Sequence, residues 1–391
     1  MNFVIPHHVK EIIERLNQTG HEAYLVGGCV RDFLMGVKPK DWDLCTSALP
    51  EEIKSCFADR ATFDIGIDHG TVMVTTEKRA VEITTYRIDG EYVDGRHPKQ
   101  VSFTRSLEED LARRDFTINA IAYHPEIGLV DPLGGRADIK KQIIRCVGDP
   151  QKRFEEDALR ILRGLRFAAT LGFDIKASTA KAMEQCKDGL NYIPIERINV
   201  EFLKLVEGEF AADVIGKYSE IIQVFAPELN VESLSLIQGK PNAEVVLLCI
   251  LFQGNVETTL KRLKFTKKMV EDAKAVSSGE GITILPDAIQ IKRLLKEHGL
   301  LVLEMMIDVK ETYGEDMLEC RRILEEIQEE GQCYSLNQLA VNGRDLIQAG
   351  FPAGPKIGTI LNALLDYVIV HPEENKKELL LDRVLSLESL E

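Results

Sequence analysis

A chain of 391 residues, 45% hydrophobic and 28% charged, has the make-up of a globular protein large enough for more than one domain. Its 63 acidic and 48 basic residues leave a net charge of −15, which excludes broad, nonspecific coating of nucleic acid but permits a local basic track. No apolar run reaches the roughly 20 residues of a membrane span, the opening MNFVIPHHVKEIIERL lacks a signal peptide's apolar core, and the eight cysteines contain no C-x-x-C redox or zinc pair, so a cytoplasmic protein is expected.

In chain order, Val9, Ile12, Ile13 and Leu16 keep helical spacing up to Gly20 and predict an N-terminal helix. EAYLVGG predicts a short strand ending in a glycine turn. TVMVTTEKRAVEITTYR predicts a hairpin of two strands joined by a charged turn. RIDGEYVDGRHPKQ is polar and aperiodic, and loops of that length are often functional. A hinge is expected near Gly134-Gly135, and beyond about residue 150 the pattern is helical almost throughout. There PQKRFEEDALRILRGLRFAATLGF predicts one long helix, with Ala158, Ile161, Leu162, Leu165, Phe167 and Ala168 on its apolar stripe and Gly172 as its stop. NAEVVLLCILFQG predicts a buried helix. The expected class is α+β: a mixed-sheet head followed by an all-α remainder.

Three stretches carry chemistry. In LVGGCVRDFLMGVKPKDWDL, a strand continuing through DWDL would place Asp41 and Asp43 on one face, and paired carboxylates suit hard divalent cations such as Mg²⁺. Gly28 lets the backbone approach a phosphate closely, and Arg31 offers a fork of donors to its oxygens. Glu82, from the hairpin, is a candidate third carboxylate. The pattern is neither a P-loop nor a dinucleotide fingerprint. RRDFTINA, with Arg114, is expected to open a helical segment suited to phosphate and sugar contacts. In EDALRILRGLRF, Asp157 and Arg160 would share a helix face, with Arg163 and Arg166 continuing the ridge. A carboxylate only accepts hydrogen bonds and a guanidinium only donates them, so Asp157 with Arg160 could choose cytosine and adenine, which pair an amine donor with a ring-nitrogen acceptor. Uracil and guanine present the reverse. Taken singly, each stretch has an ordinary explanation: a tight turn, a solvated acidic pair, a surface ion pair. The basic stretch KRLKFTKK, Lys261 to Lys268, is a candidate RNA contact on the same terms.

Together these stretches resemble the class II CCA-adding enzymes, tRNA nucleotidyltransferases of the DNA polymerase beta superfamily, over nearly the whole chain. LVGGCVRDFLMGVKPKDWDL is similar to the family's metal motif, RRDFTINA to its ribose motif and DPLGGRADI to its head hinge. EDALRILRGLRF is similar to the nucleobase template, IPIERINVEF with Arg197 to the motif that supports it, and VNGRDLIQAGFPAGPKIGTILNALLDYVI to the tail that grips the tRNA elbow. The resemblance implies a polymerase beta-like nucleotidyltransferase head over residues 1–145, a neck over 146–205, a body over 206–330 and a tail over 331–391. It implies that Asp41 and Asp43 ligate Mg²⁺ and carry catalysis. Gly28, Arg31 and Arg114 would hold the incoming CTP or ATP, Asp157 and Arg160 would read its base, and Arg163 and Arg166 would add nucleotide contacts. The implied reaction is attack of the tRNA 3′-hydroxyl on the nucleotide α-phosphate, with release of pyrophosphate.

Three other activities and one inert reading compete. An intact loop at YRIDGEYVDGRHPKQVSF argues against CC-only addition and leaves full CCA addition favoured over A-only addition. Poly(A) polymerase shares the head motifs but typically ends in a more basic region than ENKKELLLDRVLSLESLE. A non-catalytic RNA-binding scaffold would not need both Asp41 and Asp43. The sequence leaves the oligomeric state open.

Overall fold

The computed structural model describes residues 3–65, 70–76, 79–89, 101–237 and 244–388. They form two compact units, residues 1–229 and 230–391. The first begins with α1 (His7–Gln18), whose Val9, Ile12, Ile13 and Leu16 are buried as their spacing predicts. The head strands are β1 (Ala23–Val26), β2 (Asp43–Thr46), β3 (Thr62–Asp64), β4 (Thr71–Thr75), β5 (Ala80–Thr85), β6 (Arg87–Asp89), β7 (Val101–Phe103), β8 (Ala122–His124) and β9 (Gly128–Val130). Seven of them make one sheet in the order β3-β4-β5-β2-β1-β8-β9, antiparallel except for the parallel pair β2–β5. Mixed direction and an N-terminal α/β head agree with the expected class. All four residues of β1 are buried, as befits a strand covered on both faces.

The glycine turn after β1 leads into α2 (Gly28–Leu34). Gly27 sits there at φ 76°, a left-handed conformation that a side chain would strain. The hairpin β4–β5 forms as predicted, with its turn residues 77–78 outside the described residues. The polar loop ends in the short ladder β6–β7, and residues 90–100 of that expected functional loop also lie outside them. One local expectation needs correcting. The strand of DWDL starts at Asp43, and Asp41 lies in the bend before it, so strand periodicity does not align the two carboxylates.

The remaining helices of this unit are α3 (Pro50–Cys56), α4 (Leu107–Ala112), α5 (Gly135–Lys141), α6 (Pro150–Glu156), α7 (Leu159–Leu171), α8 (Ala177–Cys186), α9 (Ile195–Val206), α10 (Ala211–Lys217) and α11 (Ser219–Gln223). Here a second correction arises: the single helix predicted from Pro150 to Leu171 is broken at Asp157, whose backbone is extended (φ −149°, ψ 103°). Asp157 Oδ1 accepts the Leu159 N–H at 3.1 Å and caps the new helix, a role for which aspartate is well suited. A third correction concerns RRDFTINA. Arg113 caps the end of α4, and only the 3₁₀ turn Thr117–Asn119 follows, so the arginines close a helix rather than open one. The small parallel ladder of β10 (Ile143–Ile144) with β11 (Asp174–Ile175) interrupts the otherwise helical stretch after the main sheet.

Gly134 and Gly135, where a hinge was expected, are tightly packed. Asp131 accepts the N–H groups of Gly135 and Arg136 at 2.7 and 2.9 Å, and a Cβ on Gly135 would fall 2.0 Å from the Thr117 carbonyl oxygen. Because that neighbour is backbone, relief requires moving α5 or the Thr117 turn. Gly135→Ala is expected to destabilise the first unit by about 1–3 kcal/mol, the usual cost of overpacking. A chemical-denaturation midpoint equal to the parent's would overturn this.

The second unit is helical: α12 (Leu234–Ile237), α13 (Glu244–Leu251), α14 (Val256–Arg262), α15 (Lys267–Ser278), α16 (Ala288–His298), α17 (Leu300–Thr312), α18 (Leu318–Glu329), α19 (Gly343–Gln348), α20 (Pro355–Val370) and α21 (Lys377–Glu388). Val245 to Leu251 of α13 are all buried, as predicted. A separate apolar cluster of Val341, Leu346, Phe351, Leu364, Leu365, Val368, Ile369, Leu380 and Val384 holds α19, α20 and α21 together. Among the described residues no helix is long and apolar enough to cross a membrane.

Candidate active site

The parallel pairing of β2 with β5 sets Asp43 beside Glu82 in register. β5 alternates, with Val81, Ile83 and Thr85 buried and Glu82 exposed, so the two carboxylates stand on the same open face. The Asp43 carboxyl is raised above the ordinary aspartate range, first by the protein packed around it, then by the charge of Glu82; Arg114 opposes this and Asp41 adds to it. No described residue hydrogen-bonds or ion-pairs the carboxylates of Asp41, Asp43 or Glu82. Three acidic groups opposed only by the charge of Arg114, two of them on neighbouring strands, are costly unless a cation joins them. Their all-oxygen donor set is the kind that hard divalent ions take.

The phosphate-binding candidates surround the glycine turn. Arg31, on α2, donates Nε and Nη2 to Asp32 (2.9 and 2.6 Å) and Nη1 to Asn119 Oδ1 (2.9 Å). A guanidinium has five N–H groups, so two remain for a ligand. Gly28 faces this fork: a Cβ there would make ordinary contact, 3.7 Å from Arg31 Nη2. Arg114 lies across the neighbouring glycine, its Nη1 3.7 Å from where a Gly27 Cβ would be. It is held by Asp110, which accepts its Nη2 at 2.9 Å and Arg113 at 2.7 and 2.9 Å. Burial alone would raise Asp110, but Arg114 and Arg113 overturn that and keep it below the usual range. The Nε of Arg114 is buried without a hydrogen-bond partner among the described residues, which fits a site that awaits an anion.

The base-reading candidates stand at the helix break. Asp157 Oδ2 accepts Arg197 Nη2 at 2.8 Å while Oδ1 caps α7, and each oxygen retains a further lone pair. Arg197, on α9, thus holds Asp157 from a second helix. Arg160 departs from the expected ridge. Its Nη1 turns back to the Arg153 carbonyl (3.0 Å) and Glu156 (2.5 Å) of α6. Arg163 and Arg166 point elsewhere again: Arg163 binds Asp115 through Nε (2.8 Å) and Nη2 (2.7 Å) and reaches Glu201 at 3.4 Å, and Arg166 pairs with Glu201 at 3.1 Å. Asp115 lies below the usual aspartate range because the Arg163 charge and hydrogen bond outweigh its burial. A continuous chain results: Arg31, Asn119, Asp115, Arg163, Glu201, Arg166, since the Asn119 amide also approaches Asp115 at 3.5 Å. It ties the phosphate-binding candidates on the head to α7 and α9. Asp115 and Asn119 entered the sequence reading only as members of RRDFTINA, and Glu201 was not singled out.

The basic stretch from Lys261 to Lys268 lies in the second unit, across α14 and α15. Lys261 and Lys274 share Glu257 (2.6 and 3.3 Å), and Lys267 pairs with Glu271 at 3.6 Å. These pairs are exposed and contribute little, so the lysines stay available to phosphates.

Family models match along the chain: the Poly A polymerase head domain at residues 23–145, the "Probable RNA and SrmB- binding site of polymerase A" at 172–231, and tRNA nucleotidyltransferase domain 2 at 240–384. The CCA-adding enzyme of Geobacillus stearothermophilus is 36% identical over 94% of this chain and 93% of its own length. The chain belongs to the CCA-adding enzyme family. The CCA-adding enzyme of Streptococcus mutans is 35% identical over 95% of both chains. The solved CCA-adding enzyme of Bacillus stearothermophilus in complex with CTP superposes with a TM-score of 0.78 and 34% identity, over 97% of this chain and 98% of that one. A tRNA nucleotidyltransferase complexed with a primer tRNA and an incoming ATP analog shares the fold, with a TM-score of 0.64 at 23% identity over 82% of this chain. Within the CCA-adding family the mixed-sheet head and helical remainder are the expected architecture.

Proposed function

We propose that this chain adds CCA to the 3′ end of tRNA in the cytoplasm, using CTP and ATP and releasing pyrophosphate. The observation that carries the reading is one compact unit in which unpaired carboxylates share an open face, arginines wait at a glycine turn and an aspartate–arginine pair stands at a helix break. The full-length similarity to CCA-adding enzymes supports the same activity. In this proposal residues 1–145 are the catalytic head, 146–205 the neck that reads the base, 206–330 the body and 331–391 a tail that holds tRNA.

Asp41 and Asp43 would hold Mg²⁺, which polarises phosphoryl oxygens when bound. Glu82, in register with Asp43 on the neighbouring strand, is the candidate third carboxylate. Arg31 and Arg114, with the Gly28 turn, position the triphosphate so that the α-phosphate faces the tRNA hydroxyl. Phosphoryl transfer asks the protein chiefly for such positioning and charge stabilisation. Asp157 accepts from the exocyclic amine of cytosine or adenine, Arg160 donates to the ring nitrogen, and Arg163 and Arg166 complete the nucleotide contacts.

The decisive experiment offers the protein three tRNAs, ending before CCA, after C and after CC, with labelled CTP and ATP. Extension of all three to CCA is expected. Extension of the last alone would make this an A-adding enzyme, and extension of none would end the proposal.

A further inference from the structure

Phe167 lies among charges. Its ring is 7% exposed, yet three guanidinium carbons approach its centroid: Arg166 at 4.4 Å, Arg31 at 5.3 Å and Arg163 at 5.6 Å. Arg31 comes from α2 in the head, whereas Arg163 and Arg166 come from α7. Phe116 meets the same ring edge-to-face, with centroids 5.9 Å apart and planes at 82°, so the ring is held in place from the apolar side. Gly164 makes room for that arrangement, since a Cβ there would fall 2.8 Å from the tip of Phe116. Three like charges gathered this closely repel one another. Asp32, Asp115 and Glu201 offset part of that, with Asp32 serving Arg31 and Glu201 shared by Arg163 and Arg166. Arg166 is pushed below the ordinary arginine range, first by burial and further by Arg163 and Arg31, against the pull of Glu201 and Asp115. The negative face of an aromatic ring is the remaining attraction available to all three.

We propose that Phe167 is a positioning residue for the incoming nucleotide: its π-face collects Arg31, Arg163 and Arg166 and so aligns the phosphate-binding arm on the head with the base-reading helix of the neck. An aliphatic side chain of similar size would fill the same volume but give the arginines nothing to face. The proposal rests on the nucleotide-site reading above, and it predicts an effect on nucleotide KM that packing alone would not produce.

The test replaces Phe167 in the full chain with mono-, di- and trifluorinated phenylalanine. Fluorination drains the ring quadrupole while nearly preserving its size. The KM for CTP and ATP should climb stepwise with fluorine number, to roughly tenfold at the third, the effect of one cation–π contact of about 1–2 kcal/mol. Binding of tRNA and the unfolding midpoint should stay near the parent's. Phe167→Leu should raise KM as much as the most fluorinated ring, and Phe167→Tyr, which retains a π-face, should recover most of the loss. A flat KM across the fluorinated series overturns the proposal. Arg31→Ala and Arg163→Ala separate it from the reading beneath: if neither raises the nucleotide KM, the nucleotide site itself is misplaced, whereas if both do and the series is flat, Phe167 alone is acquitted.

Discussion

An Asp43→Ala protein should bind tRNA as tightly as the parent and add no nucleotide to it. Asp43 stands in register with Glu82, feels the charge of Asp41 as well, and has no hydrogen bond or ion pair to its carboxylate among the described residues, so its removal takes away the centre of the acidic group. A metal-held phosphoryl group draws several kcal/mol from its ions, and losing about 4 kcal/mol slows the reaction roughly a thousandfold. Asp43→Asn keeps the shape and loses the charge, and it should fail equally. Asp41→Ala should follow, since Asp41 is the second proposed ligand even though it sits in the bend and not on the strand. The measurements are single-turnover incorporation from labelled ATP and a tRNA-binding titration. Full incorporation by Asp43→Ala would remove this face as the catalytic centre. A parallel loss of tRNA binding would indicate damage to the fold.

Base selection should respond to Asp157. Its two oxygens accept from Arg197 and from the Leu159 N–H and keep lone pairs toward the site, whereas alanine offers none. Asp157→Ala should raise misincorporation of UTP and GTP relative to CTP and ATP by roughly thirty- to hundredfold, the effect of about 2–3 kcal/mol from a mispaired polar group. It should also cost about 1 kcal/mol of stability through the lost helix cap, far too little to unfold the protein. Asp157→Asn supplies the control. It keeps an acceptor for the cap and presents amide N–H groups where the carboxylate only accepted. Its preference should therefore drift toward bases with a carbonyl at that edge. Competition assays with all four nucleotides on a tRNA lacking its last residue measure both. Unchanged discrimination in Asp157→Ala would take the template role from this residue.

The sequence carried the class of fold and most of the candidate site, because each depends on local pattern. Alternation in VEITTYR exposed Glu82, and the paired glycines after EAYLV marked the turn beneath Arg31. The misreadings along α6 and α7 share a cause, since each involves a partner distant in the chain. The apolar stripe runs from Phe154 through Ala158, Ile161 and Leu165 on both sides of the break, so periodicity alone reads one helix. The break carries an ion pair from Asp157 to Arg197, forty residues on. Arg163 and Arg166 likewise leave the ridge shared with Asp157 because Asp115 lies 48 residues before Arg163 and Glu201 lies on another helix. Local propensity has no access to such pairings. The loop at residues 90–100 and the division into head, neck, body and tail remain proposals from sequence.

The break at Asp157 also limits how base choice can change over time. One side chain there both starts a helix and, in the proposed function, reads the base, so a substitution is filtered by folding before it is tried for selectivity. Short polar residues that can cap a helix pass that filter, and larger or apolar ones pay on both counts. A lineage under pressure to read a different base, or an engineer attempting it, has few letters to use at this position. The greater freedom lies in Arg197, which holds the aspartate from another helix without starting one itself.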